Sequence, residues 1–393
     1  MGNWTVGSDL QQEAWAKEVY VEAQKRIFWR KFMSAGTSNI IEVKSDLQSS
    51  PGDRIRVALL QRLTGGGLGG TTAVGARTGL AATDGTGIDS LVSGTFGNET
   101  GRLMGYDSDG AVSVDNTDNS TYRQDTVVIA QKRYAVRSPG AWFHQQSGFD
   151  FNSHVRETIS IWTAEFIDLM IFQFLTGNTN WKWPETVSAA TSSATLANDR
   201  LIYGGNATTE ASITSGDYFT TEEIDRCRTI AKIAEPRIMP IRTEGGQEYY
   251  IMVIHPNQAY TLRNDGNWRN AQENANIRSD KNPIFTGALG VWNGVIVYEH
   301  EFVNNFTQTG GGAIKLAQAA FLGQHAGCFA KAKDLTWHVD TKSSDADFGD
   351  KPAIAVGMCC GFTRLQFGTT AIDYASINCL TAAVDPSGTD HAV

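Results

Sequence analysis

The run Gly65-Gly66-Gly67-Leu68-Gly69-Gly70 opens a stretch, ending near Ser120, that is rich in Gly, Ser, Thr, Asp and Asn and poor in large apolar residues. Such a stretch cannot supply a core of its own, so whatever orders it must come from neighbouring surfaces. It predicts a long loop or extended hairpin. The turn Pro51-Gly52-Asp53 leads into it through an alternating strand, Arg54 to Leu63. A returning strand is expected over Asp125 to Ala135, where Val127, Ile129 and Tyr134 are β-favouring.

The rest of the chain must therefore provide the rigid part. From Phe151 the sequence reads as a helix ending at Thr176-Gly177-Asn178, with Val155, Ile159, Trp162, Phe166 and Leu169 at steps of four and three residues on one face. This is expected to be a one-sided spine. An earlier helix is predicted from Asp9 to Met33, opened by a Ser8-Asp9-Leu10-Gln11 capping box and closed by Gly36. Its basic end, Lys25, Arg26, Arg30 and Lys31, complements the helix dipole, which explains the cluster better than contact with DNA. Ile40 to Lys44 is extended. An α/β unit begins near Asp217, with a helix capped by Thr220 or Thr221 and running through Ala234. It continues through a buried strand Glu248 to His255, a helical stretch Pro256 to Arg263 and a strand Gly294 to Tyr298. Val187 to Leu196 reads as a loop. Ala319 to Ala383 reads as strands, clearest at Ala353 to Met358 and Ile372 to Leu380.

Composition narrows the class. Hydrophobic residues make up 41% and charged residues 19%, too apolar for a disordered chain and light in charge for a free-standing enzyme. Surface that would otherwise be charged is expected to meet other subunits. A net charge of −9 argues against a chain whose main task is to grip nucleic acid. Five cysteines, two of them adjacent at Cys359 and Cys360, fit neither a disulfide framework nor a CxxC metal site, so reduced thiols and assembly in a cytoplasm are expected. Met1 to Val6 only approaches a myristoylation signal. Ile159 to Leu175, interrupted by Glu165 and Asp168, is not expected to span a membrane.

Catalytic and cofactor motifs fail on context. The glycines at 65 to 70 formally fit GxGxxG, but no helix is predicted to follow and no Gly-Lys-Ser/Thr is present, so no nucleotide cofactor is expected. The seven histidines contain no HxxxH or HxH pair, and His255, next to Pro256, reads as a strand-end residue rather than a general base. Asp107, Asp109, Asp115 and Asp118, and Asp340, Asp345, Asp347 and Asp350, lack EF-hand spacing and read as solvated loops, so no metal is expected. No catalytic residue is assigned.

A set of ordered motifs remains. His255-Pro256-Asn257-Gln258-Ala259-Tyr260 is followed by Trp268, then Asn282-Pro283-Ile284-Phe285-Thr286-Gly287-Ala288-Leu289-Gly290, then Asn293-Gly294-Val295-Ile296-Val297-Tyr298-Glu299-His300. These segments resemble the major capsid proteins of N-four-like phages and their prophage relatives. Lys31-Phe32-Met33 with Ile40 to Lys44, Gly52 to Ile55, Leu63-Thr64-Gly65, Ala135-Val136-Arg137 and Tyr203 to Thr208 are similar to the same family. The resemblance implies an α+β chain with the Hong Kong 97-type capsid fold: an N-terminal arm over 1–50, an extended loop over 51–145, and a spine helix with the first part of a peripheral domain over 146–216. An axial domain over 217–325 and the second part of the peripheral domain over 326–393 complete it. It implies a chain that self-assembles through hexamers and pentamers into an icosahedral head enclosing double-stranded DNA. Portal, scaffold and decoration proteins would be its partners. The assembly positions it singles out are His255, Pro256, Gln258, Trp268, Asn282, Pro283, Phe285, Thr286, Gly287, Gly290 and Gly294. A tail-tube or decoration protein would share the composition without needing the spine. An α/β enzyme using His255 or Cys227 has no motif support.

Overall fold

The computed structural model describes residues 19–36, 38–45, 52–59, 123–140, 142, 145, 146, 151–177, 200–233, 237–242, 246–274, 289–308, 314–340, 347, 350–367 and 372–384. The capping box at Ser8, the Gly-rich stretch, the Val187 to Leu196 segment and the motif positions Asn282, Pro283, Phe285, Thr286 and Gly287 lie outside them.

Among the described residues the strands form two main sheets. The first has five strands in the order β1 (Met33–Ser34), β2 (Ile41–Lys44), β13 (Gly327–Asp340), β14 (Ala353–Arg364) and β5 (Ala130–Arg137). The second runs β6 (Leu201–Tyr203), β17 (Ser376–Ala382), β12 (Lys315–Leu322), β8 (Glu248–Ile254), β10 (Val295–Glu299) and β9 (Gly290–Trp292), with β11 (Asn305–Thr307) beside β12 and β7 (Ile241–Arg242) beside β8. Two further pairs are β3 (Arg54–Leu59) with β4 (Arg123–Val128), and β15 (Gln366–Phe367) with β16 (Ile372–Asp373).

The burial of the two main sheets differs. β8, β12 and β17 are buried on successive residues, so both faces of the eight-stranded sheet are covered, and β8 pairs parallel with β10 as a βαβ unit requires. β3 alternates exposed and buried from Arg54 to Leu59, and its Ile55, Val57 and Leu59 pack with Val127 on Cys328 and Ala330 of the five-stranded sheet and on Leu365 just beyond it. There the hairpin approaches so closely that a Cβ on Gly361 would lie 2.1 Å from the Val128 carbonyl oxygen.

The long helix, Phe151–Leu175, has the 25 residues its periodicity predicts, about 38 Å of rise. It is one-sided only in its first half, where His154, Glu157 and Thr158 are exposed opposite Val155 and Ile159. From Ala164 onward most positions are buried, because the turn carrying Phe28 and Trp29 covers the face that periodicity left open. Its His154–Leu175 portion is long and apolar enough to cross a membrane by composition, yet it is packed mostly inside the protein.

Two other expectations are corrected. The helix predicted to reach Met33 ends at residue 26, with Ile27 extended and Phe28–Phe32 forming a 3-10 turn. The late strands do not all stay together either. β13 and β14 join the five-stranded sheet, whereas β17 pairs with β12 and β6 in the other. A boundary at 325 therefore does not separate the sheets. The pairing of β17 with β6 is set by register between distant segments, which local pattern does not encode.

Candidate functional site

The described motif positions assemble inside and beside the eight-stranded sheet. β8 ends at Ile254 and the chain turns directly into a helix, Pro256–Asn264, because Pro256 fixes the first helical φ and His255 caps it. His255 Nδ1 accepts from the Asn257 N–H at 3.2 Å, and Gln258 Oε1 accepts from the His255 N–H at 3.1 Å, a reciprocal capping box. Burial lowers the His255 pKa, which favours the neutral ring that this acceptor role needs. Gln258 is fully buried, and its Nε2 donates to Ala317 O at 2.9 Å and Thr381 Oγ1 at 2.8 Å. One amide thus ties the cap to β12 and β17.

Trp268, Gly290 and Gly294 form a second corner. A Cβ on Gly290 would sit 2.8 Å from Trp268 Cζ2, so the buried indole requires glycine there. Asn293 and Gly294, at φ of 44° and 76°, make the two-residue turn between β9 and β10, and Trp292 stands opposite Val295. Asp225 accepts from Trp292 Nε1 at 3.2 Å and Asn293 Nδ2 at 2.9 Å, while Arg228 donates to Asn293 Oδ1. The Asn-Gly dipeptide signals this hairpin in sequence; its Asp225 and Arg228 partners, more than sixty residues earlier, do not announce themselves.

The 3-10 turn Phe28–Phe32 packs between the long helix and β10. Asp168 accepts from the Phe28 and Trp29 N–H groups at 2.9 and 3.3 Å, so a carboxylate from the long helix caps the 3-10 turn. Burial outweighs these two hydrogen bonds and pushes Asp168 up to about 6. Phe28 packs on Phe172 and His300, and Lys31 Nζ lies 3.8 Å from the Tyr298 ring centroid. Burial and the Lys31 charge hold His300 down to about 4. The basic cluster is thus partly engaged within the chain: Lys31 in these rings, Arg26 with Glu22 at 2.9 Å.

Among the described strands the chain passes between the sheets three times, and the passages converge. Gly323 N–H donates to Ala375 O and Leu365 N–H to Ala326 O, joining the β12-to-β13 and β14-to-β17 passages. At the end of the long helix, Arg364 Nη1 donates to Phe174 O and Leu175 O, Asn378 to Leu175 O and Gln318 to Thr176 O. Arg364 Nε also donates to Asp373 Oδ1 at 2.8 Å, both side chains being fully buried. Basic side chains suit these last carbonyls. The sequence shows Arg364 only as one residue of a strand.

The residues considered for chemistry have other roles. Cys227 and Cys379 are buried and hydrogen-bonded to each other, which raises the Cys379 pKa well above its ordinary value. Asp347 pairs with Lys351 at 3.0 Å. Among the described residues no group of three or more His, Cys, Asp or Glu is placed to hold a metal ion.

Known proteins match along nearly the whole chain. A family described as phage capsid protein matches residues 3–85 and 107–384. The major capsid protein of Pseudomonas phage KPP25 is 22% identical, over 97% of this chain and 98% of that protein. The capsid of Ralstonia phage GP4 superimposes with a TM-score of 0.68 at 24% identity, covering 92% of each chain. The capsid of cyanophage Pam1 gives 0.66 at 17% identity, covering 98% of this chain and 99% of that one.

Proposed function

The chain belongs to the phage capsid protein family and is a phage major capsid protein, and from that premise we propose that it builds an icosahedral head by the Hong Kong 97-type plan. The arm is residues 1–50, the extended loop 51–145, and Phe151–Leu175 the spine; the peripheral domain is centred on the five-stranded sheet and the axial domain on residues 217–325. To the axial unit we add β6 and β17, since they pair with β12 in one sheet. The observation that carries this layout is the pair of sheets, one backed by the long helix and the other covered on both faces, joined by passages that cannot be cut apart.

Copies meet through axial units at hexamer and pentamer centres, and the arm and loop reach neighbours. His255, Pro256, Gln258, Trp268, Gly290 and Gly294 act by holding the axial unit in shape, for the described ones are interior or turn residues. Double-stranded DNA is enclosed without sequence reading, in keeping with the net charge of −9. Portal, scaffold and decoration proteins are the partners such a head requires, and the free cysteines suit assembly in a host cytoplasm. Expression of the full chain followed by negative-stain microscopy tests the plan. Closed shells tens of nanometres across are expected; open tubes or dispersed monomers under all conditions would refute it.

A further inference from the structure

The helix Thr221–Ile233 lies on the eight-stranded sheet with Ile224, Cys227 and Ala231 in its buried stripe, at steps of three and four residues. Two side chains beside Cys227 pin it there. Arg226 Nη1 donates to Tyr203 O at 3.1 Å and Gly205 O at 2.9 Å, and Glu223 Oε1 accepts from the Gly205 N–H at 3.3 Å. That stretch of backbone is in turn tied to β17, because the Gly204 N–H donates to Leu380 O at 2.8 Å and Ile202 stands opposite Cys379. The anchors converge on one place. They bring Cys227 of the helix against Cys379 of the strand, where the two fully buried thiols are hydrogen-bonded to each other.

This arrangement differs from that of the adjacent cysteines. Cys359 and Cys360 follow one another on β14, so their side chains point to opposite faces of the sheet, one half-buried and the other buried. Cys227 and Cys379 come from separate elements, about 150 residues apart in the chain, and their sulfurs face each other. A bond between them would fasten the helix to the same strand whose Asn378 holds Leu175 O at the end of the long helix.

We propose that Cys227 and Cys379 are a latent modification site, an intrachain disulfide that stays open while the chain assembles among reducing thiols and closes when a peroxide oxidant reaches the finished shell. The timing rests on the head-building function proposed above; the pairing does not. Peroxide converts one thiol to a sulfenic acid and leaves as water. The second thiol attacks that sulfur, the S–S bond forms, and its proton departs with the sulfenic oxygen as a second water. Two thiols thus lose two electrons to one peroxide. The Cys227 hydrogen bond and burial hold the Cys379 thiol well above its ordinary pKa, and since the thiolate is the reactive form, closure is slow and follows assembly.

Shells of the full chain, isolated and unfolded in excess alkylating agent, should yield both residues as free thiols; a link already complete at that stage would overturn the timing. Shells first treated with hydrogen peroxide at about pH 8, where thiolate is more abundant, are then quenched, unfolded in the same agent and digested without reductant. Cys227 and Cys379 should disappear together and return as one linked peptide pair, with the chain still at monomer mass on a non-reducing gel. Closing a loop of about 150 residues should raise the urea midpoint by about 1 M, and dithiothreitol should reverse the shift. Cys379→Ser should remove both the linked pair and the shift. Free thiols at both positions after Cys359 is fully oxidised, a separate sulfinic acid at each, or a link formed only between copies would overturn the proposal. Should Cys379→Ser not fold, the peptide map of the unaltered chain decides alone. Absence of shells would instead remove the head-building function, and the same map on the soluble subunit would still test the pairing.

Discussion

The two main sheets reach stability by different routes. β8, β12 and β17 are covered on both faces, and polar side chains such as Gln258 are spent on binding elements of the same chain together. In the five-stranded sheet, β5 is largely exposed along its length, and β3 and β4 shield only the end of the sheet near Gly361. Among the described residues, one sheet is covered by its own chain, and the other keeps an open edge at β5. Damage to the first should be visible in an isolated subunit, whereas damage to the rim of the second should be visible only in assembly.

The largest loss is expected where the sheets are tied together. Arg364→Met would leave Asp373 buried without its charged partner and Phe174 O without its side-chain donor, costing about 3–5 kcal/mol. Urea unfolding of the subunit measures it; a loss as small as a surface change would mean the sheets stand independently. Gln258→Ala should cost about 2–3 kcal/mol, since the β12 carbonyl and the Thr381 hydroxyl lose a buried donor. Hydrogen exchange should then rise in β12 and β17 before it rises in β5, and the reverse order would break the comparison.

Asp168 bears on the seam between the sheets through pH. Its folded pKa, about 6, lies above its ordinary value, so its contribution to stability is fully present below the unfolded pKa and is lost as pH rises through about 6. Asp168→Asn should flatten the stability profile between about pH 4 and 7 by roughly 2 kcal/mol, read from denaturation midpoints across that range. An unchanged profile would show that the Phe28–Phe32 turn does not depend on this carboxyl. Smallest of all, Glu299→Gln breaks a half-exposed pair with Arg263 at 2.7 Å and should change stability by about 0.5 kcal/mol or less, because solvent screens it. A larger effect would mean rim charges, rather than interior clamps, hold the eight-stranded sheet.

What could be read in advance follows the range of the interactions. The bounds of Phe151–Leu175, the alternation of β3, the burial of β8 and the helix after His255 are written in spacing and neighbouring residues. The break at Ile27 is not, because its cap comes from Asp168, 140 residues away. The all-round burial of the helix's second half has the same cause. Of the candidate site, the Gln258 capping box is local, but its bonds to Ala317 and Thr381 depend on strand order. Family resemblance singled those positions out; the geometry gives the described ones an interior or turn role.

The three passages between the sheets meet at Arg364, Asp373 and the end of the long helix. A subunit pulled across that seam, as a wall stretched by pressure from within would be, loads its three strands of chain side by side rather than one after another. Such a joint does not unzip. It holds until all three connections yield together, so a shell of these subunits should fail by parting between copies before any copy is torn open.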